Sequence, residues 1–127
     1  TFNANPITMQ AGTIAVQHLT AERIEAMARL AARLERELAA AARKYRLPFS
    51  CNRQGSLLNI FFTDSAPQAT LLRADQELIS RFHIAAMNHG VFVAARGMMA
   101  LSTVIDDALL TEIVARLDEA LRDGASG

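Results

Sequence analysis

The feature that most limits what this chain can fold into is a single apolar stripe. Between Ala21 and about Tyr45, the residues Ile24, Met27, Leu30, Leu34, Leu38 and Ala41 recur at spacings of three and four. That interval brings side chains to one face of an α-helix. The opposite face carries Glu22, Arg23, Glu25, Arg29, Arg33 and Arg36. A helix with one apolar and one charged side must lay the apolar side on a second layer. The residues that follow supply that layer. Leu47-Pro48 ends the helix, because proline disfavours helical geometry in the residue before it. Two strand candidates come next, Phe49 to Arg53 and Ser56 to Thr63, with Gln54-Gly55 as the turn of a hairpin. In the second strand Leu58, Ile60 and Phe62 point one way, and Leu57, Asn59 and Phe61 the other.

The flanking segments extend the same architecture. Asn5 can cap a helix whose first residue is Pro6, where a missing N–H is harmless, so Pro6 to about His18 reads as helical. Thr20 precedes the long helix. Asp64 to Thr70 reads as a loop, and Ala74 to Asn88 as a helix that buries Leu78, Phe82 and Ala85 or Ala86 and ends at Gly90. Val91-Phe92-Val93 and Ala100-Leu101-Ser102 are short strand candidates. Asp106 and Asp107 complement the positive end of a last helix with the stripe Leu109, Leu110, Ile113, Val114, Leu117 and Leu121, and Asp123 to Gly127 reads as a frayed tail. The expected fold class is α+β, an antiparallel sheet covered by helices on one side.

Composition excludes several kinds of function. With 127 residues, 51% of them hydrophobic, the chain can bury a core as one domain. Thirteen basic residues balance thirteen acidic ones, and no basic stripe is present, so no nucleic-acid partner is expected. No apolar run approaches the roughly 20 residues needed to cross a bilayer, so no membrane partner is expected either. Cys51 is the single cysteine, which rules out an internal disulfide and makes a reducing, cytoplasmic setting the expectation.

Few residues stand out chemically. His18, His83 and His89 lie on or near helices, and none has a Cys, Asp or Glu at metal-ligand spacing. They read as surface or capping groups. Cys51 in a strand reads as an inert thiol, and Met98-Met99 as core filler. Lys44 is the only lysine and falls at the charged end of the long helix, so it reads as a solvated helix end. The chain has no glycine-rich phosphate loop and no zinc-protease motif. No catalytic residue and no metal site is expected. Two features remain. Thr1 places a hydroxyl beside the free N–H groups of the Pro6 helix, which can hold a phosphate or simply form a capped helix start. Arg96 sits in the apolar stretch Ala94-Ala95-Arg96-Gly97-Met98, where its planar fork can grip a carboxylate or its head can lie in solvent.

Three blocks of the sequence resemble a known family. T-F-N-A-N-P-I-T-M-Q-A-G, Thr1 to Gly12, resembles the T-[FL]-x-[AG]-N-P-x-x-M-x-A-G segment of class III pyridoxal-phosphate aminotransferases, above all the glutamate-1-semialdehyde aminomutase branch. G-S-L-L-N-I-F-F-T-D, Gly55 to Asp64, is similar to that branch's G-S-x-x-x-x-F-F-T-D hairpin. N-H-G-V-F-V-A, Asn88 to Ala94, is similar to its L-x-x-G-V-[YF]-x-A-P segment.

The resemblance implies the C-terminal small domain of a fold-type I enzyme, with 1–20 as a linking helix region and 21–122 as the small domain proper. It implies that the chain starts in mid-loop as the cut edge of a larger protein. The Schiff-base lysine and most contacts to pyridoxal 5'-phosphate would then lie in a large domain of the same polypeptide, upstream of Thr1. The implied partners are that large domain, a second copy in a homodimer, and a small amino-acid substrate. Thr1 would reach the cofactor phosphate of the neighbouring subunit. The segment Ala94 to Ser102 looks most like the A-P-R-G-M-x-A-L-S segment of relatives that transaminate β-amino acids or arylglycines, with Ala95 in place of Pro. There the matching arginine holds the substrate carboxylate, which assigns that expectation to Arg96. The expected function is thus a share in amino transfer from an amino acid, possibly a β-amino acid. The alternatives are an aminomutase that moves the amino group within one molecule, and a non-enzymatic α+β binding module.

Overall fold

The chain is described by a computed structural model over residues 4–64 and 74–125. Helix α1 (Pro6–His18) starts as expected, with the Asn5 side chain accepting from the Ile7 and Thr8 amides. None of its residues is buried, and Ile7, Met9, Ile14 and Val16 are exposed. Helix α2 (Ala21–Lys44) is capped by Thr20 and buries its stripe from Met27 onward. Ile24 departs from the expected stripe and is half exposed, because the first turn of α2 has nothing among the described residues to pack on.

The end of α2 is more specific than a proline stop. The Leu47 amide donates to the Ala42 carbonyl at 2.9 Å and the Arg46 amide to the Arg43 carbonyl at 3.1 Å. These two bonds form a Schellman motif, which requires a left-handed residue, and Arg46 fills that place with φ 58°.

Strand β1 (Ser50–Gln54) pairs antiparallel with β2 (Leu57–Phe61), and β2 with β3 (Met98–Ala100), in the order β1-β2-β3. The hairpin turn is Gly55-Ser56, one residue later than the sequence suggests, since Gln54 already pairs with Leu57. Gly55 takes φ 56° while Ser56 stays at negative φ, the pattern of a type II′ turn that suits the twist of two strands. Pairing then sorts the faces. Cys51, Ile60, Leu58 and Met99 share one side, and Asn52, Asn59 and Met98 the other.

Helix α3 (Gln76–Asn88), capped by Asp75, and helix α4 (Asp107–Ala125), whose start Asp106 caps, complete the layer. The core joins Leu34 and Leu38 of α2, Leu58 and Ile60 of β2, Phe82 of α3, and Leu110, Leu117 and Leu121 of α4. Phe62 meets Phe82 edge to face, with centroids 5.7 Å apart. The architecture is therefore α+β, with helices packed on one face of the sheet.

Four local expectations are corrected. Val91-Phe92-Val93 forms no strand. The third strand is Met98–Ala100, earlier than the Ala100-Leu101-Ser102 expected. Leu109 is 40% exposed and lies off the buried stripe. The tail is helical through Ala125, because Gly124 packs against the backbone of Phe82, where a small residue lets two helices close up.

Candidate functional site

Arg96 owes its position to the turn that carries it. The Gly97 amide donates to the Ala94 carbonyl at 2.8 Å, and the Ala94 amide to the Met98 carbonyl at 3.0 Å. Ala95 and Arg96 keep negative φ while Gly97 takes φ 80°. This is a three-residue loop of a type I turn followed by a left-handed residue. The Gly97 carbonyl in turn accepts from the Ile60 amide at 3.0 Å, which ties the loop to the middle of the sheet. The backbone beneath Arg96 is thus fixed while its side chain is exposed.

That side chain borders a cleft of about 420 Å³. Asn59, Phe61 and Met98 line it from the sheet, and Gln76 and Ile79 from the start of α3. The walls mix apolar side chains (Ile60, Phe61, Ile79, Met98) with the amides of Asn59 and Gln76, and the one guanidinium among them makes no hydrogen bond or ion pair among the described residues. One feature of the cleft was not singled out from the sequence. The Oδ1 of Asn59 is buried and accepts no hydrogen bond. Period-two alternation places Asn59 opposite the core face, but alternation carries no information about an unmet acceptor. Chemically the cleft offers a planar cation for a carboxylate and apolar surface for the rest of a small molecule.

The other candidates lie elsewhere. Thr1 falls outside the described residues. Lys44 is more than a solvated helix end: its Nζ donates to Asp118 Oδ2 at 2.9 Å, and the Tyr45 hydroxyl donates to the same oxygen at 2.8 Å. The bond to Asp118 raises the Lys44 pKa and keeps it an ammonium. Partial burial disfavours the Asp118 anion, yet the bonds from Lys44 and Tyr45 outweigh it and lower the Asp118 pKa. Cys51 is part-buried beside the core, and desolvation, with the Glu35 charge second, pushes its thiol up to about 11. Met99 is core and Met98 is exposed on the cleft side.

Two of the histidines make contacts that spacing along the chain did not reveal. His83 Nδ1 lies 2.6 Å from the Val93 carbonyl oxygen. His89 stands between Glu119 at 3.2 Å and Asp123 at 2.9 Å, bridging the end of α3 to α4. No group of three or more His, Cys, Asp or Glu among the described residues could hold a metal ion.

Comparison with known proteins bears on the fold and the family. No family model matches the chain. The fold superimposes on the crystal structure of an omega-transaminase from Sphaerobacter thermophilus with a TM-score of 0.88 and 29% identity, over all of this chain and 30% of that one. The fold is therefore that of a C-terminal part of the transaminases. Among curated proteins, glutamate-1-semialdehyde 2,1-aminomutase 2 of Geobacillus thermodenitrificans (strain NG80-2) is 37% identical over 95 residues, covering 73% of this chain. The enzyme of the same name from Exiguobacterium sibiricum is 30% identical over 132 residues, covering 97% of this chain. The chain belongs to this family of aminomutases and transaminases, and spans 22% and 29% of the length of those two relatives.

Proposed function

We propose that this chain is the substrate-facing small domain of a class III pyridoxal-phosphate enzyme that transfers the amino group of a carboxylate-bearing amine. The observation that carries the reading is Arg96, an uncommitted guanidinium on a pinned turn at the border of a part-apolar cleft. Its fork suits both oxygens of a carboxylate. The cleft walls of Phe61, Ile79 and Met98 suit an apolar substrate body, which supports a β-amino acid with a hydrocarbon side chain.

The described residues do not themselves make a site for pyridoxal phosphate. The only lysine is held as an ammonium by Asp118 on the outer face of α2 and α4. We therefore assign the cofactor to a large domain of the same polypeptide, as the greater length of the relatives supports. When bound, the cofactor supplies an electron sink for the bonds at the amine-bearing carbon. This chain's share is to hold the carboxylate through Arg96, and, through Thr1, a phosphate oxygen in the neighbouring subunit of a homodimer.

The exposed apolar side chains of α1 support a division into a linking region, 1–20, and a small domain proper, 21–122. No helix of the described residues is long and apolar enough to cross a membrane, and the single cysteine favours the cytoplasm.

A second reading has its own support. The two curated relatives are named aminomutases, which move the amino group within one molecule. Incubating the gene's full-length product with β-phenylalanine and a 2-keto acid separates the two. Amino transfer that stops when the keto acid is omitted supports the first reading. Conversion of glutamate-1-semialdehyde with no added acceptor supports the second, and inactivity in both assays contradicts both.

A further inference from the structure

The cleft holds two groups that each lack a partner and complement one another. Asn59 Oδ1 is a buried acceptor with no donor. Arg96 brings five N–H donors and makes no hydrogen bond among the described residues. A buried acceptor left unmet has lost its water without recompense, so a donor that reaches it is strongly favoured. The backbone brings the two residues close. Met98 pairs with Asn59 across β2 and β3, and Gly97 accepts from the amide of Ile60, the neighbour of Asn59. Arg96 is thus one residue from a point pinned to the strand that carries Asn59, and both border the same cleft.

We propose that Asn59 is a positioning residue for Arg96: its amide oxygen accepts from the guanidinium when a carboxylate occupies the cleft. One edge of the fork then binds the ligand and another is held by the sheet. A long, freely rotating side chain becomes a fixed receptor only if something less mobile grips it, and Asn59 sits on the central strand with its Oδ1 buried. Asn59 also suits the task better than an acid. A carboxylate there would neutralise Arg96 and compete with the ligand, whereas a neutral amide orients the cation and leaves its charge available. The inference rests on the proposed role of Arg96 as carboxylate receptor.

The test uses the full-length, cofactor-loaded protein and 3-phenylpropionate, a carboxylate with no amino group to react. Its dissociation constant is measured by calorimetry for wild type, Asn59→Ala, Arg96→Ala and the double variant, with a melting curve for each. Asn59→Ser replaces Asn59→Ala if the latter does not fold. Arg96→Ala is expected to weaken binding tenfold or more, and Asn59→Ala about fivefold. The double variant is expected to bind within twofold of Arg96→Ala, because Asn59 has nothing to hold once the arginine is gone. Asn59→Asp is expected to weaken binding more than Asn59→Ala does. If Arg96→Ala weakens binding but Asn59→Ala stays within twofold of wild type, the positioning role is wrong while the arginine reading stands. Multiplying losses in the double variant also overturn it, since Asn59 would then act independently of Arg96. Unchanged binding in Arg96→Ala, or no binding to wild type, overturns the arginine reading and this inference with it.

Discussion

The Gly97 carbonyl accepts from the Ile60 amide at 3.0 Å, and a Cβ on Gly97 would lie only 2.5 Å from the Ile60 carbonyl oxygen. The turn that carries Arg96 is therefore pressed against the sheet backbone at a place only glycine can occupy. Gly97→Ala adds this contact, with a backbone oxygen that cannot swing away, and places a side chain on a residue held at φ 80°. A left-handed non-glycine residue costs about 1–3 kcal/mol where the surroundings force it. Urea denaturation of the Gly97→Ala chain is expected to show a loss of about 2 kcal/mol or more. A loss below about 0.5 kcal/mol would show that the turn yields.

Arg46 offers the opposite experiment. It holds φ 58° at the end of α2, whereas the equivalent place after α3 is taken by Gly90 with φ 78°. Arg46→Gly relieves the left-handed strain and is expected to stabilise the chain by about 1 kcal/mol. Gly90→Ala is expected to destabilise it, since alanine would be held at φ 78°, whereas the Arg116 guanidinium that its Cβ would meet is a movable side-chain end. The two midpoints in urea should move in opposite directions.

The clasp between α2 and α4 makes a pH prediction. Asp118 has its pKa lowered in the folded chain, so its contribution is full above the ordinary carboxylate value of about 3.9 and is lost as pH falls through the folded value. Lys44 has its pKa raised, so its contribution is full below about 10.4 and fades as pH rises through the folded value. Melting temperatures of wild type and Asp118→Asn should differ most between these limits and converge in acid. Curves that stay parallel from pH 3 to pH 7 would show that Asp118 ionisation is not coupled to folding.

Cys51 is expected to be slow toward alkylating reagents. With its thiol pushed up to about 11, roughly one molecule in a thousand carries the thiolate at pH 8. Reaction with iodoacetamide should be more than tenfold slower than for an exposed cysteine in a peptide. A comparable rate would contradict the burial argument.

What was legible in the sequence follows from which forces act locally. Asn5-Pro6, Thr20 and the two stripes of α2 and α4 depend on neighbours a few residues away, and those elements fall where periodicity and capping place them. Val91-Phe92-Val93 has β-forming residues but is tied to α3 rather than to a strand, with the Val91 amide donating to the Ala86 carbonyl and the Val93 carbonyl beside His83 Nδ1. Leu109 and Ile24 fit their helical patterns, yet exposure depends on what lies opposite, which one helix does not encode. At the site, Arg96 stood out because a charge in an apolar stretch is conspicuous. Asn59 did not, because an unmet buried acceptor exists only once strands β2 and β3 and the start of α3 are assembled. The Asp118 partner of Lys44 and the Asp123 partner of His89 are likewise distant in sequence and meet only through helix packing.

Everything proposed for the site turns on Arg96 recognising the carboxylate of the amine that reacts. The most direct measurement compares kcat/KM for β-phenylalanine with that for 1-phenylethylamine, which keeps the benzylic amine but has no carboxylate, in the full-length product and its Arg96→Ala variant. The wild type is expected to prefer the acid, and Arg96→Ala to lower kcat/KM for the acid at least tenfold, with the amine changed less than twofold. Equal losses on both compounds, or a preference for the acid that survives in Arg96→Ala, would contradict that role.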